Sequence, residues 1–233
     1  MPDPGKYNAN PELYQKLVEE LYANNLPITL GPEYAEFITN NQLRLLIRLA
    51  RYKFTARLLK STDRVLEVGS GTGLGALFLA QHCAHVTGLE IKQTELAEAR
   101  AINRRSNVAF ADTDFFDLPD DQHFDVIVGL DVIEHLPVEL ARKFVAKAAQ
   151  LLPPHGMLIL GTPSLYSYEH QGALSRASHE KCYDLPELVD LLGTGFGRTL
   201  SFSMNDELVH TGHYKMAWYY FVVGLAPKPS CSA

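Results

Sequence analysis

Cysteine is scarce in this chain of 233 residues: three are present, Cys83, Cys182 and Cys231. They are odd in number and scattered, with neither metal-like spacing nor the pairing pattern of a disulfide framework. Excess positive charge is also missing. The formal net charge is −6 and the pI is near 5.8, so no electrostatic footprint for nucleic acid or an anionic membrane is expected. Long apolar runs are lacking as well. The longest, Met216 to Ala226, is far too short to span a bilayer. The opening MPDPGKYNANPE has no apolar signal core, and a cytoplasmic setting is the expectation. There are no repeats and no low-complexity tracts. What remains is ordinary for a globular protein: 46% hydrophobic and 21% charged residues, long enough for one α/β domain with additions.

Within that frame the chain divides at about residue 63. Met1 to Ala9 reads as a loose arm. Asn10 then caps a helix with Pro11 at its first position, and Leu13, Leu17, Val18 and Leu21 form an apolar face. A second helical region follows Pro32 and runs to Lys60, with a break at Asn40-Asn41. Residues 1–63 are thus a helical extension, serving as packing or as a lid. From Arg64 strands and helices alternate: strands at 64–69, 85–90, 107–111, 124–130 and 157–162, helices at 74–82, 92–104 and 138–151. That alternation predicts a parallel sheet wound on both faces. Asp184 caps a further helix, and the β runs 198–204 and 214–226 predict a terminal hairpin with an antiparallel strand.

The stretch RVLEVGSGTGLGALFLA, residues 64–80, organises the rest. A buried strand leads into Gly69, Gly71, Gly73 and Gly75 and then into a helix opening at about Leu74. Glycines tolerate positive φ and let the backbone approach a ligand, and a helix N-terminus follows. A nucleotide-like cofactor is the first expectation; a tight turn with no ligand is the alternative. The segment Gly71 to Ala76 also fits the dinucleotide fingerprint in its Gly-x-Gly-x-x-Ala form. Glu90, closing the second strand, can accept both ribose hydroxyls of either NAD or S-adenosylmethionine. Glu67 separates the two, because a carboxylate there repels a pyrophosphate and attracts a cationic methionyl end.

The pattern Glu67-x-Gly69-x-Gly71-x-Gly73 resembles the first motif of the class I S-adenosylmethionine-dependent methyltransferases. The resemblance covers roughly Arg64 to Pro163 and implies a Rossmann-like sheet of seven strands, mostly parallel, with one antiparallel. It further implies that Gly69, Gly71 and Gly73 face the methionyl part of the cofactor, with Glu67 near its ammonium. Glu90 would bind the ribose and Ile91 would lie against the adenine. Asp114, or Asp112 if the register differs by two, would accept from the adenine amino group, with Phe115 stacking beside it. Leu130 would touch the ribose or the sulfonium side. Product S-adenosylhomocysteine would leave the same site.

After the fourth strand comes GLDVIEHLP. It resembles the Glu-x-x-Glu-His element of the ubiquinone-pathway O-methyltransferases and of small-RNA 2′-O-methyltransferases, whose carboxylates and histidine hold a divalent ion. Here Asp131 replaces the first Glu. Asp131, Glu134 and His135 would share one face of a helical turn and are candidate metal ligands; a hydrogen-bonded Glu–His pair shaping the pocket is the alternative. Two loops, 163–183 and 205–214, are expected at the same rim. They supply His170, His179, His210 and His213 with Tyr166, Tyr168, Glu169 and Arg176. His135 and His179 are the acid/base candidates, since an imidazole titrates near neutral pH, and His179 is equally a candidate ligand. The expected reaction is methyl transfer to a small molecule, preferably to a hydroxyl of a sugar, a phenol or quinone precursor, or a natural-product intermediate. Amine methylation, an NAD-dependent oxidoreductase and a non-catalytic cofactor-binding partner subunit are the rivals.

Overall fold

The computed structural model describes residues 10–25 and 27–229; the expected arm at 1–9 and Cys231 lie outside them. Five parallel strands form the centre: β1 (Arg64–Val68), β2 (His85–Leu89), β3 (Val108–Ala111), β4 (Val126–Leu130) and β5 (Met157–Pro163). β8 (Tyr219–Pro227) runs antiparallel to β5, and β6 (Phe196–Asn205) pairs with β8. The sheet order is β3-β2-β1-β4-β5-β8-β6-β7. All seven expected strands are there, and the terminal strand is antiparallel as the hairpin pattern requires. The eighth, β7 (Leu208–His210), is an addition at the edge. Its turn is a tight one: Asp206 takes φ 50, so Asn205 pairs directly with Leu208. A left-handed turn residue matches the twist of a two-residue hairpin, and aspartate tolerates it.

The strands read as near-continuous apolar runs because both sheet faces are covered. One face carries α6 (Val138–Leu151) and α8 (Leu185–Gly193), packed through Phe144, Leu188 and Leu192. The other carries α4 (Leu74–Leu79) and, from the N-terminal region, α3 (Gln42–Ala56). α8 begins with a reciprocal cap: Glu187 N donates to Asp184 Oδ1 while Asp184 N donates to Glu187 Oε2. The expected break at Asn40-Asn41 is real. Asn41 ends α2 (Pro32–Asn40), and its side chain accepts from Arg44 N at 3.2 Å to start α3. The N-terminal helices differ in their burial. α3 seats Phe54 against Phe221, with ring centres 4.6 Å apart, whereas α1 (Pro11–Asn24) buries no residue. Among the described residues no helix is long and apolar enough to cross a membrane. α5 (Gln93–Ile102) and the short α7 (Ala173–Ser178) complete the helices that border the site.

Candidate active site

The parallel strands end together at one edge of the sheet, where open α/β folds bind ligands. β1 ends in the glycine turn. Gly69, Gly71 and Gly73 take φ values of 68, 53 and 84°, left-handed in every case. A Cβ on Gly73 would lie 2.7 Å from both Ala99 and Phe110, so this position needs glycine twice, for its φ and for close contact with α5. Gly75, within α4, instead makes room for the Tyr52 ring of α3.

Glu67 is the penultimate residue of β1 and is 1% exposed. Neither of its carboxylate oxygens has a hydrogen-bond partner of good geometry. Burial pushes its carboxyl up to about 8, and the nearby Tyr52 hydroxyl offsets this only in part. An unpartnered buried carboxylate is costly unless a cation or donor arrives. Glu90, at the end of β2, is the contrasting case. Its two oxygens accept from Gly71 N at 2.9 Å and from Lys92 N at 2.8 Å, which fixes the acid beside the turn. Gly69, Glu90, Ile91, Asp114, Phe115 and Val132 are among the residues lining a cavity of about 150 Å³. Asp114 also caps the turn that follows it, accepting from Phe116 N at 2.9 Å. Phe115 is buried and stacks on Phe144 at 4.4 Å, so one ring serves both core and cavity. Asp112 and Leu130 are not among the lining residues; Leu130 is buried in the layer beneath α3.

Beyond β4 lies the second group. Glu134, His135 and His179 bring one ligand atom each within 4.8 Å of one another. Glu134 is 1% exposed; Thr162 Oγ1 donates to its Oε2 at 3.0 Å and Oε1 has no partner. Burial, then the charge of Asp131, pushes Glu134 up to about 8. His135 Nδ1 lies 2.8 Å from the Ser178 carbonyl oxygen, which a protonated Nδ1 serves, leaving Nε2 bare in the neutral ring. The His179 ring lies edge-on to it at 5.0 Å, and its Nδ1 is buried without a partner. Burial and the neighbouring His135 lower the His179 pKa. The loop is held here by its backbone: Glu180 N and Lys181 N both donate to the Glu134 carbonyl oxygen, at 2.8 and 3.1 Å.

Asp131 stands outside this group. Its carboxylate takes Arg51 Nη1 at 2.6 Å instead. Of the four loop histidines, only His179 joins the cluster. Tyr166 meets Tyr214 edge-on, joining the two loops, and His170 packs at a tilt against Trp218, just beyond the second loop. His210 accepts from Gly212 N and shapes its own turn. Sequence reasoning missed Arg51, Tyr52, Thr162 and the buried hydroxyl of Tyr183, which lacks a partner. Arg51 and Tyr52 carried one signal, polar atoms within the inward-facing half of a helix that otherwise packs against the sheet.

Residues 65–156 match a protein family described as "Methyltransferase domain". Over 145 residues the chain is 30% identical to a probable S-adenosylmethionine-dependent methyltransferase of Mycolicibacterium smegmatis, across 62% of this chain and 53% of the relative. It is 32% identical over 100 residues to the ubiquinone biosynthesis O-methyltransferase of Rickettsia conorii, across 42% of this chain and 34% of that one. The chain thus spans about a third to a half of the length of these curated relatives. Among solved structures, the N-methyltransferase NodS of Bradyrhizobium japonicum bound to S-adenosylhomocysteine aligns with a TM-score of 0.59 at 20% identity, over 78% of this chain and 88% of that one. A possible histamine N-methyltransferase of Thermotoga maritima aligns with a TM-score of 0.65 at 19% identity, over 83% and 94%. At such identities the likeness is one of fold.

Proposed function

We propose that this chain, which has the fold of the class I S-adenosylmethionine-dependent methyltransferases, transfers a methyl group from that cofactor to a hydroxyl of a small molecule. On this reading 64–233 is the span of the methyltransferase domain, and the described helices α1, α2 and α3 within 1–63 belong to a helical extension that serves as packing or as a lid. The single observation that carries the reading is the pair of buried, incompletely partnered acids, Glu67 and Glu134, on two sides of the same strand edge.

The residues fit the cofactor. Glu67 has free oxygens for an ammonium, and the glycine turn leaves no side chain in the way. Glu90 keeps lone pairs for ribose hydroxyls after its two backbone bonds, since a carboxylate has about four acceptor sites. Asp114 accepts from the adenine amino group, with Phe115 and Ile91 as the apolar walls. Bound there, S-adenosylmethionine supplies an electrophilic methyl carbon attached to a positively charged sulfur. The protein's main contribution is to hold two reactants together in a water-poor site, an effect of about 7–11 kcal/mol at its upper range.

A hydroxyl acceptor also needs its proton removed or its acidity raised. His135 and His179 present bare ring nitrogens for the first task. With Glu134 they would also hold a divalent cation, whose charge would acidify the bound hydroxyl. Their chemistry suits such an ion: two neutral imidazoles and one carboxylate with a free oxygen.

The test is turnover with methyl-labelled cofactor against phenolic, quinol, sugar and amine acceptors, with and without a chelator. An O-methyl product is expected. An N-methyl or C-methyl product overturns the hydroxyl assignment. Calorimetric binding of NAD in place of S-adenosylmethionine overturns the cofactor. Cofactor binding without turnover on any acceptor points to a partner subunit.

A further inference from the structure

Arg51 lies on α3, outside the region that carries the family motifs. Its guanidinium sits 3.9 Å from the centre of the Tyr219 ring, and Nη1 donates to Asp131 Oδ2 at 2.6 Å. Both partners are mostly shielded, with side chains 18% and 32% exposed. A charge-assisted bond in such surroundings is among the stronger polar contacts, and the aromatic face adds to it. Burial opposes the charge on Arg51, yet Asp131 and Tyr219 hold it protonated more firmly than usual. Asp131 itself is fixed by its backbone: φ is 57°, and its N–H donates to the Gly161 carbonyl at 2.9 Å. A regular helical turn would have put Asp131 and Glu134 on one face. The left-handed residue and the 3-10 turn at 133–135 separate them, and Asp131 is absent from the group formed by Glu134, His135 and His179.

We infer that the Arg51–Asp131 pair is a clasp that keeps Asp131 out of the cation-binding group and so leaves a coordination position open for the acceptor oxygen. The inference rests on reading Glu134, His135 and His179 as cation ligands. A six-coordinate divalent ion such as Mn2+ keeps three positions free beside three protein ligands, and a fourth protein ligand would take one of them from water and the acceptor. A second carboxylate a few residues from Glu134 is the obvious candidate for that fourth ligand. Arg51 neutralises it and holds it toward α3. Arg51 is therefore a positioning residue: it acts through Asp131. It also ties α3 to the acceptor side, so this N-terminal helix contributes to the chemistry of the sheet edge it packs on.

The test is Mn2+ binding to the full chain, by calorimetry and by the electron paramagnetic resonance of the bound ion, in the absence of cofactor. Wild type is expected to bind one ion, and Glu134→Gln to weaken it about tenfold or more. Asp131→Asn should leave the affinity close to that of wild type, because Asp131 is held by Arg51 and does not reach the ion. Arg51→Met should tighten binding by about tenfold and alter the resonance as Asp131 joins the ion, and Arg51→Met with Asp131→Asn should lose that gain. Arg51→Lys should restore the wild-type signal. If Asp131→Asn weakens binding as much as Glu134→Gln, Asp131 is a ligand and the clasp is wrong. An Arg51→Met protein with wild-type affinity and spectrum also overturns it, while leaving the cation site standing. If Arg51→Met fails to fold, Arg51→Gln alone and with Asp131→Asn repeats the paired comparison, and weakened binding in Asp131→Asn alone still overturns the clasp. Absence of binding in wild type and in every variant overturns the cation site itself and the clasp with it.

Discussion

Glu67 and Glu134 are the same residue type in nearly the same condition. Each follows a central strand of the sheet or closes it, each is 1% exposed, and each is pushed up to about 8, first by burial. Their neighbours differ. Glu67 has a tyrosine hydroxyl beside it and no imidazole, with a backbone turn of left-handed glycines in front. Glu134 has Thr162 on one oxygen and two imidazoles within reach of the other. The first environment waits for an organic cation that brings its own donors. The second can pass a proton or hold an ion. What a buried acid does is thus set by the groups that face its free oxygen and not by its burial or pKa, which here are alike.

The comparison breaks if substitutions on the two sides cross over. The largest effect is expected on the acceptor side. His179→Ala and Glu134→Gln should each reduce single-turnover methyl transfer by about 10²–10⁴-fold, the range for a lost general base or its equivalent, with cofactor affinity unchanged. Loss of cofactor binding in either variant would show that the two sides are not separate. Next is Glu67→Gln, which removes a charge-assisted partner worth about 1.5–3 kcal/mol and should weaken S-adenosylmethionine binding by about 10–100-fold. Calorimetry should find its Mn2+ affinity unaltered. A normal cofactor affinity would remove Glu67 from the site.

Titration sharpens the contrast further. In the cofactor-free protein Glu67 is mostly protonated at pH 7, whereas in the unfolded chain it ionises near 4.5. The folded state binds the extra proton between those values, so its stability should fall as pH rises from about 4.5 to 8. An ammonium requires the ionised form, so cofactor binding at pH 7 should release about one proton, and almost none above pH 9. Calorimetry in buffers of different ionisation enthalpy measures this. Glu67→Gln should abolish the release; if it persists, another group is its source.

The two sides were also unequally legible. The glycine turn, Glu67, Glu90 and the strand order lie within local patterns whose spacing carries the geometry, and β1, β2, β4 and β5 came out within a residue or two of expectation. The acceptor side is assembled from distant pieces. Sequence could nominate His179 as one of four loop histidines, but only the fold shows it edge-on to His135. Asp131 was grouped with Glu134 by helical spacing, and the left-handed backbone at Asp131 defeats that spacing. Arg51 meets Asp131 across 80 residues, a separation that leaves no local signature. β7 was hidden because three residues after a polar turn show too little alternation to read as a strand.

The smallest expected effect tests whether α3 belongs to the cofactor side at all. The Tyr52 hydroxyl draws the Glu67 pKa down, against burial and the charge of Glu90. Tyr52→Phe removes that pull while keeping the ring that Gly75 accommodates. The carboxyl should then hold its proton to higher pH, and the midpoint of cofactor-linked proton release should move upward with it. Affinity at pH 7 should fall by about two- to twelvefold, since a single neutral hydrogen bond contributes about 0.5–1.5 kcal/mol, and should return toward wild type above pH 9. Gly75→Ala forces the ring itself to move, because the new Cβ would fall 2.1 Å from it, and should cost more at every pH. If Tyr52→Phe changes neither the midpoint nor the affinity, Glu67 is tuned by the sheet alone and α3 serves the site only through Arg51.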